Sequence, residues 1–449
     1  MSVAERRAAG RAARATVPRR ALSALGERPA GYDSVARLLE QGEGRVAALA
    51  PLRYSRMAVS AFAFLRGAAL VMSDDLVIAA STGIDVTLCG DAHAANFGVF
   101  TSPERRLVFD VNDFDEVDEG PFEFDVKRLA TSIAVVGDEV GLGEAERRAA
   151  VEALAIEYQR SIGRFATAGR LAVWYAALDV ERDLADLRGF FTVGAARAVD
   201  RVIRRARADD ERHFEQLVDY ESGTPRFRPA PPLVTPIDDD PSRVTRAQLE
   251  EALGRYPESL LSDRRALLSQ FSLVDVARLV RGVGSVGTEC FGALYVGRDD
   301  EDALVLQVKE AQRSALATAR GLSGTTDGGR RVVEGQRLLQ ATPDALLCWT
   351  DGPVGRSFYV RQLYDDRASV DLARLSARSL AAYGRVCAWT LARAHARGGR
   401  SAEIAGYVGE GRQFARCVGE FALAYAERNR ADHRALVAAI ADRRVPTAT

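Results

Sequence analysis

The chain has 449 residues, of which 47% are hydrophobic and 27% are charged, and its net charge at pH 7 is −1. This composition is typical of a soluble globular protein with two or three domains, and the balanced charge does not favour nucleic acid as a partner. The five cysteines form no CxxC pair, residues 1–20 lack the apolar core of a secretory signal, and no apolar run is long enough to cross a bilayer. We therefore predict a cytoplasmic protein with no membrane partner.

The first half of the chain is predicted to be mostly helical. Residues 5–20 are basic and could form a frayed helix; a solvated tail is expected there, with a binding arm as the alternative. An apolar stripe predicts helices over 33–80, and the helical pattern returns from about 124 to 220. Between them, residues 84–89 and 106–111 alternate like strands, so the polar clusters that follow each strand lie in loops.

The second half changes character at a proline-rich segment, residues 222–243, which holds six of the 15 prolines and is predicted to be a surface linker or an extended strap. A helical stretch at about 244–278 follows. Residues 281–309 are then glycine-rich and strand-like, which predicts a β-hairpin. The remaining predicted elements are a helix at 327–341, two short strands at 345–350 and 357–363, and two long helices at 371–397 and 410–440.

The most informative polar cluster lies at residues 89–116. It contains Asp91, Asn96 and Asp113 in that order. A kinase-type phosphotransferase needs a carboxylate that orients the attacking hydroxyl, and an amide and a carboxylate that hold Mg²⁺ under the phosphates. We therefore predict Asp91 as the catalytic base and Asn96 and Asp113 as the magnesium ligands.

This cluster has alternative interpretations. Asp110 and Asp115 are the neighbours most easily confused with Asp113. His93 is a possible metal ligand, but the chain has only four widely spaced histidines, so we predict that His93 braces the loop. Two-metal phosphoesterases share the Gly-Asp-Ala-His opening, but the Gly-Asn-His segment that they need downstream is missing. The GxSxG motif of serine hydrolases is absent as well.

Residues 282–287 read Gly-Val-Gly-Ser-Val-Gly, a pattern that alone fits a dinucleotide loop, a kinase phosphate loop or a flexible turn. Because a strand and not a helix is predicted next, the kinase form is favoured. The residues predicted to cover the phosphates of ATP are Gly282, Gly284, Ser285 and Gly287.

Lys309 ends the apolar strand that follows this loop and shares a face with Val305 and Gln307. Such a lysine suits the role of holding the α- and β-phosphates, and a surface lysine with a buried stem is the alternative. Glu334, on the next helix, is its predicted ion-pair partner, with a plain solvated glutamate as the alternative. Gln362 and Leu363 are the predicted hinge beside the nucleotide base.

Several long motifs resemble the DUF2252 family over about residues 45–440. They are Arg56-Met57, Phe62–Ala69, Cys89–Phe100, Leu107–Ala130, Val283–Thr288, Leu306–Ala311, Val332–Gln340, Cys348–Thr350, Phe358–Leu363 and Leu391–Gly398. Ala61 and Ala94 depart from that pattern, at positions where proline and leucine are expected. The resemblance carries no established reaction and implies a kinase-like architecture.

Two segments resemble aminoglycoside-type kinases in particular. Cys89-Gly90-Asp91 replaces their His-Gly-Asp, and Asp125 follows a Gly-Pro pair at a helix start, where a structural role is expected. Leu391–His395 is similar to the helix that runs into the catalytic loop of those kinases, but here it follows that loop by three hundred residues. This order implies a circular permutation.

The predicted fold is α+β: a protein-kinase-like, two-lobed fold in circularly permuted order, with a helix-rich larger lobe and a small antiparallel β-sheet lobe. The predicted parts are a flexible arm (1–32) and a helical catalytic lobe (33–265). They are followed by a nucleotide-binding lobe (266–365) and by C-terminal helices that complete the catalytic lobe (366–449). If the two halves form one site, Lys309 Nζ should face Asp113 across a cleft at roughly 4–8 Å.

The predicted function is an ATP- and Mg²⁺-dependent phosphotransferase that acts on a hydroxyl acceptor, most simply a small molecule. The alternatives are a nucleotide-binding pseudokinase and a kinase-fold nucleotidyltransferase. The sequence names neither the acceptor nor the oligomeric state.

Overall fold

The computed structural model describes residues 1–180, 182–183, 217–220, 223–239, 244–280, 282, 286–300, 302–322, 327–363 and 370–448. Gly284 and Ser285 of the predicted phosphate loop lie outside the described residues, as does most of the predicted helical stretch beyond residue 183.

Most of the described helices lie within the predicted helical stretches, whereas those at residues 315–319 and 401–408 were not predicted. They are α1 (Val3–Thr16), α2 (Ser34–Gly42), α3 (Ala50–Ala58), α4 (Ala61–Gly67), α5 (Ala69–Ile78), α6 (Glu123–Glu139), α7 (Glu144–Phe165), α8 (Arg170–Tyr175), α9 (Arg246–Arg255), α10 (Ser262–Leu268), α11 (Ala315–Ala319), α12 (Gly328–Leu339), α13 (Ala377–Arg397), α14 (Ser401–Val408) and α15 (Gln413–Ala441). Local signals set several starts: Asp33, Ser60 and Asp327 each accept a hydrogen bond from a first-turn amide.

The N-terminal segment is docked, which corrects the prediction of a solvated tail. α1 packs along α14, and Gly10 lies so close to it that a Cβ would stand 1.9 Å from a backbone carbonyl oxygen. The guanidinium groups of Arg14 and Arg19 donate to the carbonyls of Tyr407 and Val408, each at 2.8 Å. These carbonyls end α14, where basic side chains satisfy open acceptors and the helix dipole, so the arginines serve docking.

The core of the larger lobe is formed by α6, α7, α13 and α15, which pack on one another. α6 is buried along most of its length, including its charged residues. Lys127 is fully buried there, with Nζ 4.3 Å above the centre of the Phe421 ring and Glu123 one turn earlier on the helix. Burial of this ammonium carries a desolvation cost.

Two small sheets flank the loops that carry the polar cluster. β1 (Asp85–Leu88) pairs antiparallel with β4 (Asp118–Pro121). β3 (Leu107–Val111) lies between β2 (Phe97–Thr101) and β5 (Leu178–Asp179). The two predicted strands are confirmed, and β2 is an additional strand that the sequence pattern did not indicate.

The smaller lobe is a six-stranded antiparallel sheet with the order β12-β13-β11-β10-β9-β8. Its strands, in chain order, are β8 (Val234–Pro236), β9 (Ser272–Leu279), β10 (Cys290–Val296), β11 (Ala303–Glu310), β12 (Cys348–Asp351) and β13 (Ser357–Gln362). A separate pair, β6 (Val218–Asp219) and β7 (Arg226–Phe227), lies next to it. The predicted hairpin and the two short strands are confirmed, and the fold is α+β.

One part of the predicted helical stretch 244–278 is wrong. Residues 272–279 form strand β9, and not a helix, because each of its faces packs against apolar side chains: Val276 on one face, Ala277 and Leu279 on the other. A strand buried on both faces loses the alternation that distinguishes it from a buried helix. The proline-rich segment contributes β8 to the edge of the same sheet.

All five cysteines are free and buried. None of the described helices combines the length and apolar character that a membrane span requires.

The buried Lys127 generates a prediction about the pH dependence of stability. Burial lowers its pKa from 10.5 to about 8. Between these values the unfolded chain binds more protons than the folded one, so stability should rise with pH through this window. Lys127→Met removes that dependence and should add up to roughly 3 kcal/mol at pH 7. Urea unfolding of both proteins at several values of pH tests this. Parallel stability curves between pH 8 and 10.5 would contradict it, because the carboxylate coupled to Lys127, Glu123, titrates well below this window and the remaining groups cancel in the difference.

Candidate active site

Residues 89–96, here called the Asp91 loop, lie directly against residues 112–117, here called the acidic loop. Gly90 makes this approach possible. It has a φ of +78°, and a Cβ at this position would stand 1.8 Å from the carbonyl oxygen of Glu116. Only glycine tolerates both the left-handed conformation and the contact, so the packing of the two loops depends on it.

Asp125, near the start of α6, holds the Asp91 loop from behind. Its carboxylate accepts the backbone N–H groups of Cys89 at 2.7 Å and Gly90 at 3.0 Å. The oxygen that accepts the Cys89 amide, Oδ2, also lies 3.2 Å from Nε2 of His395, whose Nδ1 is 2.7 Å from the hydroxyl of Tyr158. Asp125 therefore has a structural role, but it fixes the Asp91 loop and does not cap its own helix as predicted. α13 brings His395 to the same place.

Asp91 itself is fixed by an arginine that the sequence did not single out. Arg128 donates to one Asp91 oxygen through Nε at 2.8 Å and Nη2 at 2.6 Å. Asn96 donates its side-chain N–H to the backbone carbonyl of Asp91 at 2.7 Å, which leaves its amide oxygen for another ligand. His93 is buried, and burial lowers its pKa to about 4, so it is neutral at pH 7. This agrees with a bracing role.

Lys309 joins the sheet of the smaller lobe to the acidic loop. Its side chain is 5% exposed, and Nζ lies 3.7 Å from Asp113 Oδ2, just below the predicted range, and in closer contact with Asp115. Burial alone would lower the pKa of Lys309, but the carboxylates of Asp113 and Asp115 hold it well above its ordinary value. Tyr359 donates its hydroxyl to the other oxygen of Asp115 at 2.6 Å. The lysine is therefore charged and doubly paired.

The three aspartates of this region have different surroundings. Asp110 is buried and forms an ion pair with Arg393 in the core. Asp115 is the main partner of Lys309. The side chain of Asp113 is 35% exposed and lines the cleft, which makes it the carboxylate best placed for a cation.

The predicted ion pair between Lys309 and Glu334 is wrong. Glu334 is on the outer face of α12, with 55% of its side chain exposed, and accepts from Arg330 at 2.7 Å. α12 is tied to the acidic loop by Arg331 instead, which donates to the carbonyl oxygen of Asp115 at 2.9 Å. Asp115 thus supplies the countercharge that the sequence pattern assigned to Glu334.

The described ends of the glycine loop are held from outside by residues 45–56. The carbonyl of Gly287 accepts the N–H of Val46 at 2.7 Å, and that of Gly282 accepts a guanidinium N–H of Arg56 at 2.5 Å. Leu49 packs in an apolar cluster with the residues flanking the loop. The loop joins β9 to β10, so a strand precedes it where a helix was predicted, and Gly282 and Gly287 have φ of +74° and +90°.

The predicted hinge residues do not line the cleft that holds Asp91. The N–H of Gln362 donates to Asp344 at 2.5 Å, and that of Leu363 donates to the carbonyl of Val305 at 2.9 Å. Leu363 is buried in an apolar cluster of the sheet. Both amides are used within the protein, so neither is offered to a base.

One cleft brings most of the predicted polar residues together. Asp91, Asn96, Asp113 and Gly282 line it, and Lys309 contacts its acidic wall. Its opposite wall comes from α2 to α5 and was not predicted; it contributes Gln41, Arg45, Arg66, Gly67 and Ala69. Arginine is so common in this chain that its type alone gave no signal.

The cleft contains oxygen donors suited to Mg²⁺. Among the described residues, no group of three or more His, Cys, Asp and Glu side chains is placed to hold a metal ion. Asn96 and Asp113 nevertheless supply an amide and a carboxylate oxygen to one cleft. Mg²⁺ needs only one or two protein ligands when phosphate oxygens and waters complete its coordination, so this donor set fits it.

The chain belongs to the DUF2252 family, described as uncharacterized proteins conserved in bacteria, whose model matches residues 45–439. Comparison with curated proteins and with solved structures gave no match.

The partner of Lys309 can be tested by two matched substitutions. Asp115→Asn removes the main countercharge of a buried ammonium and should lower the free energy of unfolding by about 1–3 kcal/mol. Glu334→Gln, which loses only an exposed pair with Arg330, should leave it unchanged. Denaturant unfolding of both variants measures this. A larger loss for Glu334→Gln than for Asp115→Asn would contradict the assignment.

Proposed function

We propose that the protein is an ATP- and Mg²⁺-dependent phosphotransferase that acts on a hydroxyl group of a small molecule. The observation that carries the proposal is the position of Lys309, 3.7 Å from Asp113 at the wall of the cleft that Asp91 and Asn96 line. A lysine for phosphate, a carboxylate for the hydroxyl and two hard oxygen donors for magnesium are the parts that phosphoryl transfer requires.

Each side chain has a role that its contacts support. Asp91, oriented by Arg128, accepts the proton of the acceptor hydroxyl as that oxygen forms a bond to the γ-phosphorus and the bond to the leaving diphosphate breaks. Lys309 contacts the phosphates of the donor, and Asn96 and Asp113 hold the metal. Mg²⁺, when bound, neutralises phosphate charge.

We also infer a kinase-like fold in permuted chain order. In support, the lysine strand β11 and helix α12 follow the Asp91 loop in sequence yet contact the acidic loop through Lys309 and Arg331. α13 follows both in sequence, and its His395 lies 3.2 Å from Asp125, the residue that holds the Asp91 loop. This is the neighbourhood expected of a helix that precedes the catalytic loop in an unpermuted chain.

The walls of the cleft favour a small acceptor. The side opposite the acidic loop is formed by Gln41, Arg45, Arg66 and Gly67, and residues 45–56 are bound to the glycine loop. A protein segment with a hydroxyl side chain needs an open groove, whereas a small molecule needs only a cavity.

A second candidate is a nucleotide-binding pseudokinase or a kinase-fold nucleotidyltransferase. The observation in its favour is the double hydrogen bond from Arg128 to one oxygen of Asp91, which occupies part of the predicted base. Cys89, in place of a bracing histidine, favours the same candidate.

Turnover of ATP separates the two candidates. Magnesium-dependent release of ADP from ATP should fall at least about 10²-fold in Asp91→Asn, because the proton acceptor is lost. Asp85→Asn, an exposed aspartate on β1, is the matched control and should keep wild-type activity. ATP that stabilises both the wild type and Asp91→Asn against heat, without turnover in either, would contradict the phosphotransferase and support the second candidate.

A further inference from the structure

The sheet face that carries Lys309 is partly covered by another segment of the chain. On β11, Val305 and Gln307 share that face with Lys309, since side chains of a strand alternate. Residues 217–220 and 223–236 are here called the cover segment, and their side chains Leu217, Val218, Phe227 and Val234 pack on this face. Within it, β6 pairs with β7, and β8 extends the sheet beside β9.

Phe227 is the centre of this cover. It is 4% exposed, and a Cβ on Gly292 of β10 would stand 2.7 Å from its ring. Its N–H donates to a carboxylate oxygen of Asp275 on β9 at 2.9 Å. Gly292 leaves room for the Phe227 ring, and Asp275 binds the backbone of Phe227. The ring is therefore closely packed against the sheet.

The cover segment packs beside the end of β11 that lies next to Leu363, one of the predicted hinge residues. Phe227, Val218 and Val234 form one apolar cluster with Val305 and Leu363. The next residue of β11 on that face, Gln307, is also engaged within the protein. Its side-chain oxygen accepts a hydrogen bond from Nε of Arg361 at 3.0 Å.

A nucleotide placed by the proposed function meets this cover. With its phosphates against Lys309 and Asp113, its base extends along the same sheet face toward Leu363. That position is filled by Phe227 and its neighbours in the apolar cluster. By contrast, no residue of the cover segment lines the cleft that contains Asp91, Asn96 and Asp113.

We propose that the cover segment is an autoinhibitory element that must leave the sheet before a nucleotide base binds beside Leu363. The inference rests on the proposed function, since it concerns the donor of that reaction. The proposal predicts different binding for two ligands that carry the same phosphate groups. Mg²⁺ with inorganic tripolyphosphate binds without displacing the cover segment. Mg²⁺ with ATP binds only to the fraction of molecules in which the cover segment is displaced.

Phe227→Ala tests the inference. Removal of the ring weakens the closed state, so the affinity for Mg²⁺-ATP should rise at least about tenfold, while the affinity for Mg²⁺-tripolyphosphate stays within about twofold. Titration calorimetry on the full chain measures both. Phe271→Ala is the matched control, because that aromatic packs on the opposite face of the sheet, and it should change neither affinity.

A second variant keeps the test informative if Phe227→Ala unfolds. Gly292→Ala retains the ring but places a methyl group against it, so it should also raise the affinity for ATP alone. An ATP affinity that is unchanged or lower in the folded variants overturns the inference while tripolyphosphate still binds. Absence of binding of either ligand, in the wild type and in every variant, overturns the proposed function and the inference together.

Discussion

The structure depends on the neutralisation of one buried ammonium ion. Lys309 belongs to the sheet of the smaller lobe, and its main countercharge, Asp115, lies 194 residues earlier in the acidic loop. An unpaired charge at this depth costs several kcal/mol, so the sheet and the loop must meet. Tyr359 and Arg331 complete the junction by binding the side chain and the backbone of Asp115. The same requirement leaves Asp113, with a third of its side chain exposed, facing the cleft.

The Asp91 loop is brought to this junction by a different constraint. Gly90 lies against the backbone of Glu116, and Asp125 holds the loop through two backbone amides. The candidate site is therefore built from two independently fixed halves. The Asp91 loop positions a carboxylate for a hydroxyl, and the lysine strand positions a cation for phosphate. The cover segment lies on the second half, so it limits access to the nucleotide without touching Asp91.

The sequence predicted residue types better than residue partners. Asp91, Asn96, Asp113 and Lys309 were predicted to share a cleft because few combinations of side chains serve phosphoryl transfer, and they are grouped there. Glu334 failed because helix periodicity leaves the rotation of α12 undetermined, and Arg330 one turn away pairs with it. Strand β9 and the docked α1 were missed for a similar reason: their burial is decided by neighbours distant in sequence. Such tertiary pairing leaves no local signal.

Lysine chemistry tests the central claim most directly, because Lys127 and Lys309 are the two lysines of the chain and both are buried. An acyl-phosphate derivative of ATP transfers its acyl group to a lysine near the bound phosphates. The account predicts Mg²⁺-dependent acylation of Lys309, suppressed by excess ATP, with Lys127 unmodified, as read by peptide mass spectrometry. Acylation of Lys127, or modification confined to the α-amino group and insensitive to ATP, would contradict the account.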